Sequence, residues 1–223
     1  ALLDEVASHG TATAKRAYGD WTTAALGSWK KVLHSHAILP IQQFSYTTGK
    51  NATDCAMIID AMDLLYSGHF NGFCLVSSDS DFTRLATRLR QDGQKVYGFG
   101  EKKTPAAFVN ACDKFTFMEV LTESLKPKPD AEGPAAGSLE RLTDVIRTTL
   151  EKVSSDDGWA PLAAVGVHIS KNHPSFDARN YGFKKLGALM NHLEENLGTV
   201  DIKHIEKGGA RHMYVRMKAM MGS

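Results

Sequence analysis

Apolar and polar positions in the first 120 residues alternate between two periods, one of strands and one of helices. Leu2, Leu3 and Val6 share a helical face that stops at Gly10. A strand is predicted over Thr11–Tyr18, a helix over Trp21–Ser35 (Ala25, Leu26, Trp29, Val32, Leu33) and a strand over Ile38–Tyr46. The turn Thr47-Thr48-Gly49-Lys50-Asn51 leads into a helix over Thr53–Tyr66. Strands are then predicted over Gly72–Ser77, Lys95–Gly100 and Phe115–Val120, with helices over Phe82–Gln91 and Pro105–Cys112 between them. Strands alternating with helices predict an α/β fold: a mostly parallel sheet with helices on both faces.

The pattern changes after residue 126. Residues 127–137 hold three of the seven prolines and little that is apolar, so they predict a linker between residues 1–126 and a second domain at 138–218. Helices are predicted there over Leu139–Val153, Pro161–Ser170 and Tyr181–Asn196. A hairpin of Thr199–Ile205 and Arg211–Met217 turns at Gly208-Gly209. Three helices and a hairpin outline a small winged-helix α+β domain. Residues 219–223 predict a disordered tail.

Composition narrows the function classes. The net charge is +1, and residues 1–126 carry 13 basic and 13 acidic side chains. No global field therefore marks the chain for nucleic acid or membrane. No 18-residue apolar run and no signal-peptide pattern is present, which predicts a cytoplasmic protein. Cys55, Cys74 and Cys112 are an odd number in apolar contexts and predict buried thiols rather than disulfides or a zinc site.

The chemistry concentrates at Ser77-Ser78-Asp79-Ser80-Asp81, where the Gly72–Ser77 strand meets the next helix. Ligands of open α/β sheets bind at this C-terminal edge. One residue suffices to cap a helix, whereas two aspartates beside hydroxyls suit a divalent cation. Asp54 falls on the apolar stripe of its own helix with Met57, Ile58, Ala61 and Leu65, and that helix starts at the same sheet edge. Three converging carboxylates repel one another unless a hard cation such as Mg²⁺ or Mn²⁺ compensates them. Asp60 and Asp63 lie about 120° and about 180° around the helix from Asp54 and predict surface charges, with Asp60 kept as a further candidate. Lys50, Asn51, Arg84, Arg88, Lys102 and Lys103 would rim the acidic centre, as a phosphodiester substrate requires. In the second domain, Lys184, Lys185 and Arg211 are the exposed basic candidates for RNA, while Phe183 belongs to packing. His168 and His173 predict structural roles, since zinc needs more ligands than two.

Tyr18-Gly-Asp-Trp21, Lys50-Asn-Ala-Thr-Asp54, Ser77-Ser-Asp-Ser-Asp-Phe82, Val96-Tyr-Gly-Phe-Gly100 and Thr104-Pro105 together resemble the NYN domain of LabA-like proteins, a branch of the PIN-like nucleases. Gly158-Trp159, Pro174-Ser-Phe-Asp177 and Tyr181-Gly-Phe-Lys-Lys-Leu186 resemble an OST-HTH (LOTUS) domain. The resemblance implies a metal-dependent ribonuclease fold joined to a module that binds RNA or a protein partner, with Asp54, Asp79 and Asp81 in the metal-site places. Family members open with a strand that carries a further acidic ligand, and this sequence starts in the helix after it. That implies a fragment with a crippled site and a sheet interrupted where the strand belongs. Two other readings compete: a non-catalytic RNA-binding adaptor, and an Asp-x-Asp phosphatase or nucleotide-sugar transferase.

Overall fold

The computed structural model describes residues 1–44, 52–123 and 136–218. The chain divides into two compact units, Ala1–Cys112 and Asp113–Ser223. It is a mixed α/β protein with a parallel three-stranded sheet flanked by helices and a small C-terminal α+β domain.

In the first unit, α1 (Leu2–His9) precedes β1 (Arg16–Gly19), which pairs in parallel with β2 (Leu39–Gln42) from Arg16↔Leu39 to Gly19↔Gln42. The Tyr18–Trp21 motif binds these strands together. The Trp21 indole donates to the Ile41 carbonyl at 3.0 Å, and Gln42 joins the Trp21 N–H to the Asp20 carboxylate. The helix predicted over Trp21–Ser35 is broken into a 3-10 turn at Ala24–Leu26 and α2 (Trp29–Ser35). Gly27 lies between them and lowers helix propensity where two turns would have to join.

Next come α3 (Ala52–Tyr66), β3 (Gly72–Val76), α4 (Thr83–Gln91), β4 (Lys95–Gly100) and α5 (Ala106–Ala111). β3 runs parallel to β4 from Gly72↔Lys95 to Val76↔Phe99. Their core is the stripe predicted for α4, with Phe82, Leu85, Ala86 and Leu89 buried against Val96, Phe99 and Phe108. The His9 ring of α1 stacks on Tyr97 of β4, centroids 4.1 Å apart. β4 is buried along most of its length, whereas β3 alternates, with Phe73 and Leu75 inside and Cys74 and Val76 exposed. Cys55 and Cys74 are thus exposed rather than buried as predicted, and only Cys112 is interior. The β1-β2 pair and the sheet holding β3 and β4 are separate sheets among the described residues.

An ion-pair clamp joins α3 to β1. Asp60 accepts from the Arg16 guanidinium and from the Tyr18 hydroxyl, so it is not the simple surface charge predicted. Desolvation pulls its carboxyl upward, but the bonds from Arg16 and Tyr18 outweigh it and hold the carboxyl below the usual range. Burial and the same bond push the Tyr18 phenol up, keeping it a donor. Stability from the clamp is complete above the unfolded carboxylate value of about 3.9 and is lost as pH falls through the lower folded value. Asp60→Asn is expected to cost about 1–3 kcal/mol at neutral pH and to flatten the acid limb, checked by urea melts across that range.

The second unit holds β5 (Lys114–Phe117), α6 (Met118–Glu123), α7 (Ala136–Val153), β6 (Ala160–Pro161), α8 (Leu162–Asn172), α9 (Leu186–His192), β7 (Val200–Lys207) and β8 (Ala210–Met217). The strand predicted over Phe115–Val120 stops at Phe117 and turns into α6. The helix predicted from Tyr181 begins only at Leu186. Asp177 caps a 3-10 turn over Ala178–Tyr181, and Gly182, at φ 85°, ends it in the left-handed region. Leu142, Ile146 and Leu150 of α7, Val165 and Ile169 of α8, and Leu189 and Met190 of α9 pack on Val200 and Val215. The strands form an antiparallel sheet of order β6-β8-β7, and the hairpin turns at Gly208-Gly209, both with positive φ as a two-residue turn requires. The predicted linker falls largely on residues outside those described.

Candidate functional site

The β3-to-α4 connection is a built acidic turn. After Val76, the Ser77 N–H donates to the Phe99 carbonyl at 2.9 Å, extending the β3–β4 pairing by one residue. The Ser77 hydroxyl accepts from the Asp79 N–H at 3.1 Å, and the Asp79 carboxylate accepts from the Asp81 N–H at 2.9 Å. Asp79 therefore caps the 3-10 turn Ser80–Phe82 that opens α4. The Ser78 hydroxyl accepts from the Glu101 N–H at 2.9 Å. This bond ties the ends of β3 and β4 together and brings the Lys102-Lys103 loop to the edge that carries the aspartates.

Asp54 sits in the first turn of α3, half-buried, on the stripe whose inner members Ala61 and Leu65 are in the core. Desolvation is the main force raising its carboxyl above the ordinary value, and the charges of Asp79 and Asp81 add to it. The three aspartates from two elements thus stand within electrostatic reach of one another. Among the described residues, however, no three His, Cys, Asp or Glu side chains form a group that could hold a metal ion. The predicted three-ligand cluster is not preformed among the described residues, and one oxygen of Asp79 is engaged in capping its own turn. The donor chemistry still suits a hard cation: all three are carboxylates, and their mutual repulsion is the kind a cation relieves. Mg²⁺ in particular is held by one or two carboxylates with water completing its shell.

The predicted rim divides. Arg84, Lys102 and Lys103 are exposed, and Lys103 pairs with Glu101 at 2.7 Å. Arg88 pairs with Asp92 and bonds the Tyr66 hydroxyl at 3.1 Å. Tyr66 lies twelve residues from Asp54 along α3, about 18 Å of helix, so Arg88 belongs to packing rather than to the rim. Lys50 and Asn51 lie outside the described residues. In the second unit Lys184, Lys185 and Arg211 are exposed, and Phe183 is packed against the core as predicted. His168 is engaged by Asn172 of the same helix and makes no metal group.

Sequence reasoning missed a cluster on the β7-β8 hairpin. Lys203 lies 4.1 Å from the Trp159 ring centre and Arg216 lies 4.7 Å from it. The residues are 44 or more positions apart in sequence from Trp159, so only the strand register could have revealed it.

A family model for the NYN domain matches residues 1–119, and one for the OST-HTH/LOTUS domain matches residues 137–209. None of the curated proteins compared with the chain matches it. Among solved structures, an NMR structure of residues 175–257 of a Chromobacterium violaceum protein is 32% identical, covering 37% of this chain and 85% of that one, at a TM-score of 0.31. A protein of unknown function from Vibrio parahaemolyticus is 19% identical over 51% of this chain and 74% of its own, at 0.44. An uncharacterized Nitrosomonas europaea protein is 28% identical over 44% and 96%, at 0.32. Scores this low carry no weight for the fold. No helix among the described residues is long and apolar enough to cross a membrane. The two domain types support a nuclease-type role together with RNA binding. By the extent of the first match, the chain belongs to the NYN domain family, with an OST-HTH/LOTUS domain behind it.

Proposed function

We propose that the chain is a metal-dependent endoribonuclease in which the NYN domain hydrolyses RNA phosphodiesters and the OST-HTH/LOTUS domain holds the RNA. The observation that carries this reading is the acidic turn of Asp79 and Asp81 at the end of β3, packed against α3 with Asp54 in its first turn, with the Lys102-Lys103 loop tied to the same sheet edge through Ser78. Asp54, Asp79 and Asp81 would hold Mg²⁺ or Mn²⁺. Such an ion, when bound, activates water and offsets charge on the scissile phosphate. Arg84, Lys102 and Lys103, and Lys50 and Asn51 ahead of Asp54, would position the phosphates. The Lys103–Glu101 pair is exposed, so a phosphate can take over the ammonium at little cost. The second domain would bind RNA through exposed basic side chains of its own. Exposed thiols at Cys55 and Cys74 suit a reducing, cytoplasmic setting.

The ion can be tested without turnover. A carboxyl raised in the folded state lowers stability as pH climbs from the unfolded value to the folded one. Asp54→Asn should therefore raise the melting temperature of the metal-free chain at neutral pH and abolish the further rise that Mg²⁺ or Mn²⁺ gives the unaltered chain. Equal stabilisation of both proteins by the ion would remove Asp54 from the site.

A second reading has one observation in its favour. No three-carboxylate group is preformed among the described residues, which suits an RNA-binding adaptor whose acidic turn is vestigial. RNA binding without cleavage under any divalent metal, lost on removing residues 138–218, would select it.

A further inference from the structure

The register of the β7-β8 hairpin sorts its residues onto two faces. Val200, Ile202, Met213, Val215 and Met217 turn inward onto the core that α9 closes through Leu189 and Met190. Lys203, Lys207, His212, Tyr214 and Arg216 alternate with them and lie on the opposite, outward face. Trp159, just before β6, lies against that outward face under Lys203 and Arg216.

The indole is placed by its loop. The Ser155 N–H donates to the Trp159 carbonyl at 3.0 Å, the Trp159 N–H donates to Asp157 at 3.2 Å, and Gly158 turns at φ 78°. Each cation also has a carboxylate: Arg216 bonds Asp201 at 3.0 Å, and Lys203 reaches Asp157 at 3.8 Å. Lys203 and Arg216 are thus held at defined positions with side chains 35% and 44% exposed. Tyr214 stands directly opposite Lys203 in the ladder, with the Lys203 ammonium 5.9 Å from its ring. His212 and Lys207 continue the face toward the turn, and both are exposed.

We infer that this outward hairpin face, rather than the α9 side bearing Lys184 and Lys185, is the surface on which the second domain binds single-stranded RNA. The inference rests on the RNA-binding part of the proposed function and adds where the strand lies. Eight-residue strands give the face a length of about 27 Å, enough for several nucleotides. Its cations match phosphates, and their surface ion pairs are weak enough to exchange for them. The rings of Tyr214 and His212 offer faces to bases, which only unpaired RNA presents. Trp159 serves as the platform that keeps the two cations in place. It is a positioning residue, and its fluorescence reports on what those cations bind.

The test uses the full chain in EDTA, so that nothing is cleaved, with a mixed-sequence single-stranded RNA followed by anisotropy and by tryptophan emission. The chain has three tryptophans, and Trp159 is the one in the second domain, so the signal lost in Trp159→Phe is its own. Lys203→Gln with Arg216→Gln should weaken binding about tenfold or more and flatten the salt dependence of log K by about 1.4, from two phosphates at about 0.7 each. Tyr214→Ala should weaken binding without changing that slope. RNA should quench Trp159, and Lys184→Gln with Lys185→Gln should leave both readouts near those of the unaltered chain. Circular dichroism melts establish that each variant is folded, and Tyr214→Phe, which keeps the ring, should bind normally. Unchanged affinity and salt slope in the folded Lys203→Gln, Arg216→Gln protein would overturn the assignment and leave these cations as covers for the indole. So would loss of binding confined to the Lys184→Gln, Lys185→Gln protein, or tighter binding of a duplex of the same sequence. Failure of the unaltered chain to bind any RNA would overturn the proposed RNA-binding function itself.

Discussion

Asp79→Asn is expected to lower Mn²⁺-dependent cleavage of single-stranded RNA by about a hundredfold or more while leaving the fold intact. The substitution separates the two roles the structure gives this side chain. Asparagine still offers an oxygen to the Asp81 N–H that the carboxylate now caps at 2.9 Å, so the 3-10 turn into α4 is kept. What it removes is the charge, which helps to raise the Asp54 carboxyl and would help to hold a cation. The metal-free variant should accordingly melt no lower than the parent, and Asp54 should titrate closer to an ordinary carboxyl. The comparison is made between two proteins that differ by this substitution alone. Cleavage at the parental rate by the variant would assign the activity to another site or to a contaminant.

The second large effect is on stability. Phe99→Ala should cost about 3–5 kcal/mol in urea or guanidinium unfolding, since the ring is wholly buried in β4, beside the His9 ring of α1, and its removal leaves a cavity there. Val76→Ala, on the partner strand but half exposed, should stay within about 0.5–1 kcal/mol. The Phe99 carbonyl also receives the Ser77 N–H that starts the acidic turn, so loosening β4 is expected to cost cleavage at temperatures where the variant is still folded. Equal losses for the two substitutions would mean that burial along this sheet does not follow the pattern described.

The elements that were legible in advance share one property: their signal is local. The α4 stripe of Phe82, Leu85 and Leu89, the strand over Lys95–Gly100 and the Gly208-Gly209 turn all follow from neighbours within a few residues. Errors arose where a nearby residue changed the local preference, as at Gly27 and Gly182, or where a strand bent into a helix at Met118. The position of Asp79 and Asp81 at the end of a strand was legible because the strand-to-helix switch is a local signal. Asp60 was misjudged because its partners, Arg16 and Tyr18, lie more than 40 residues away.

Periodicity and turn chemistry thus determined the fold class, the presence of two domains' worth of elements and the placing of acidic residues at the end of β3, because each depends on short-range backbone preference and the burial of one face. The tertiary structure alone decided that Asp60 is a clamp and Arg88 a packing group. It also decided that Trp159 lies beneath Lys203 and Arg216. Those facts depend on which distant side chains the packing brings within a few ångströms, and interaction between charges and rings falls off too steeply with distance for sequence spacing to report it.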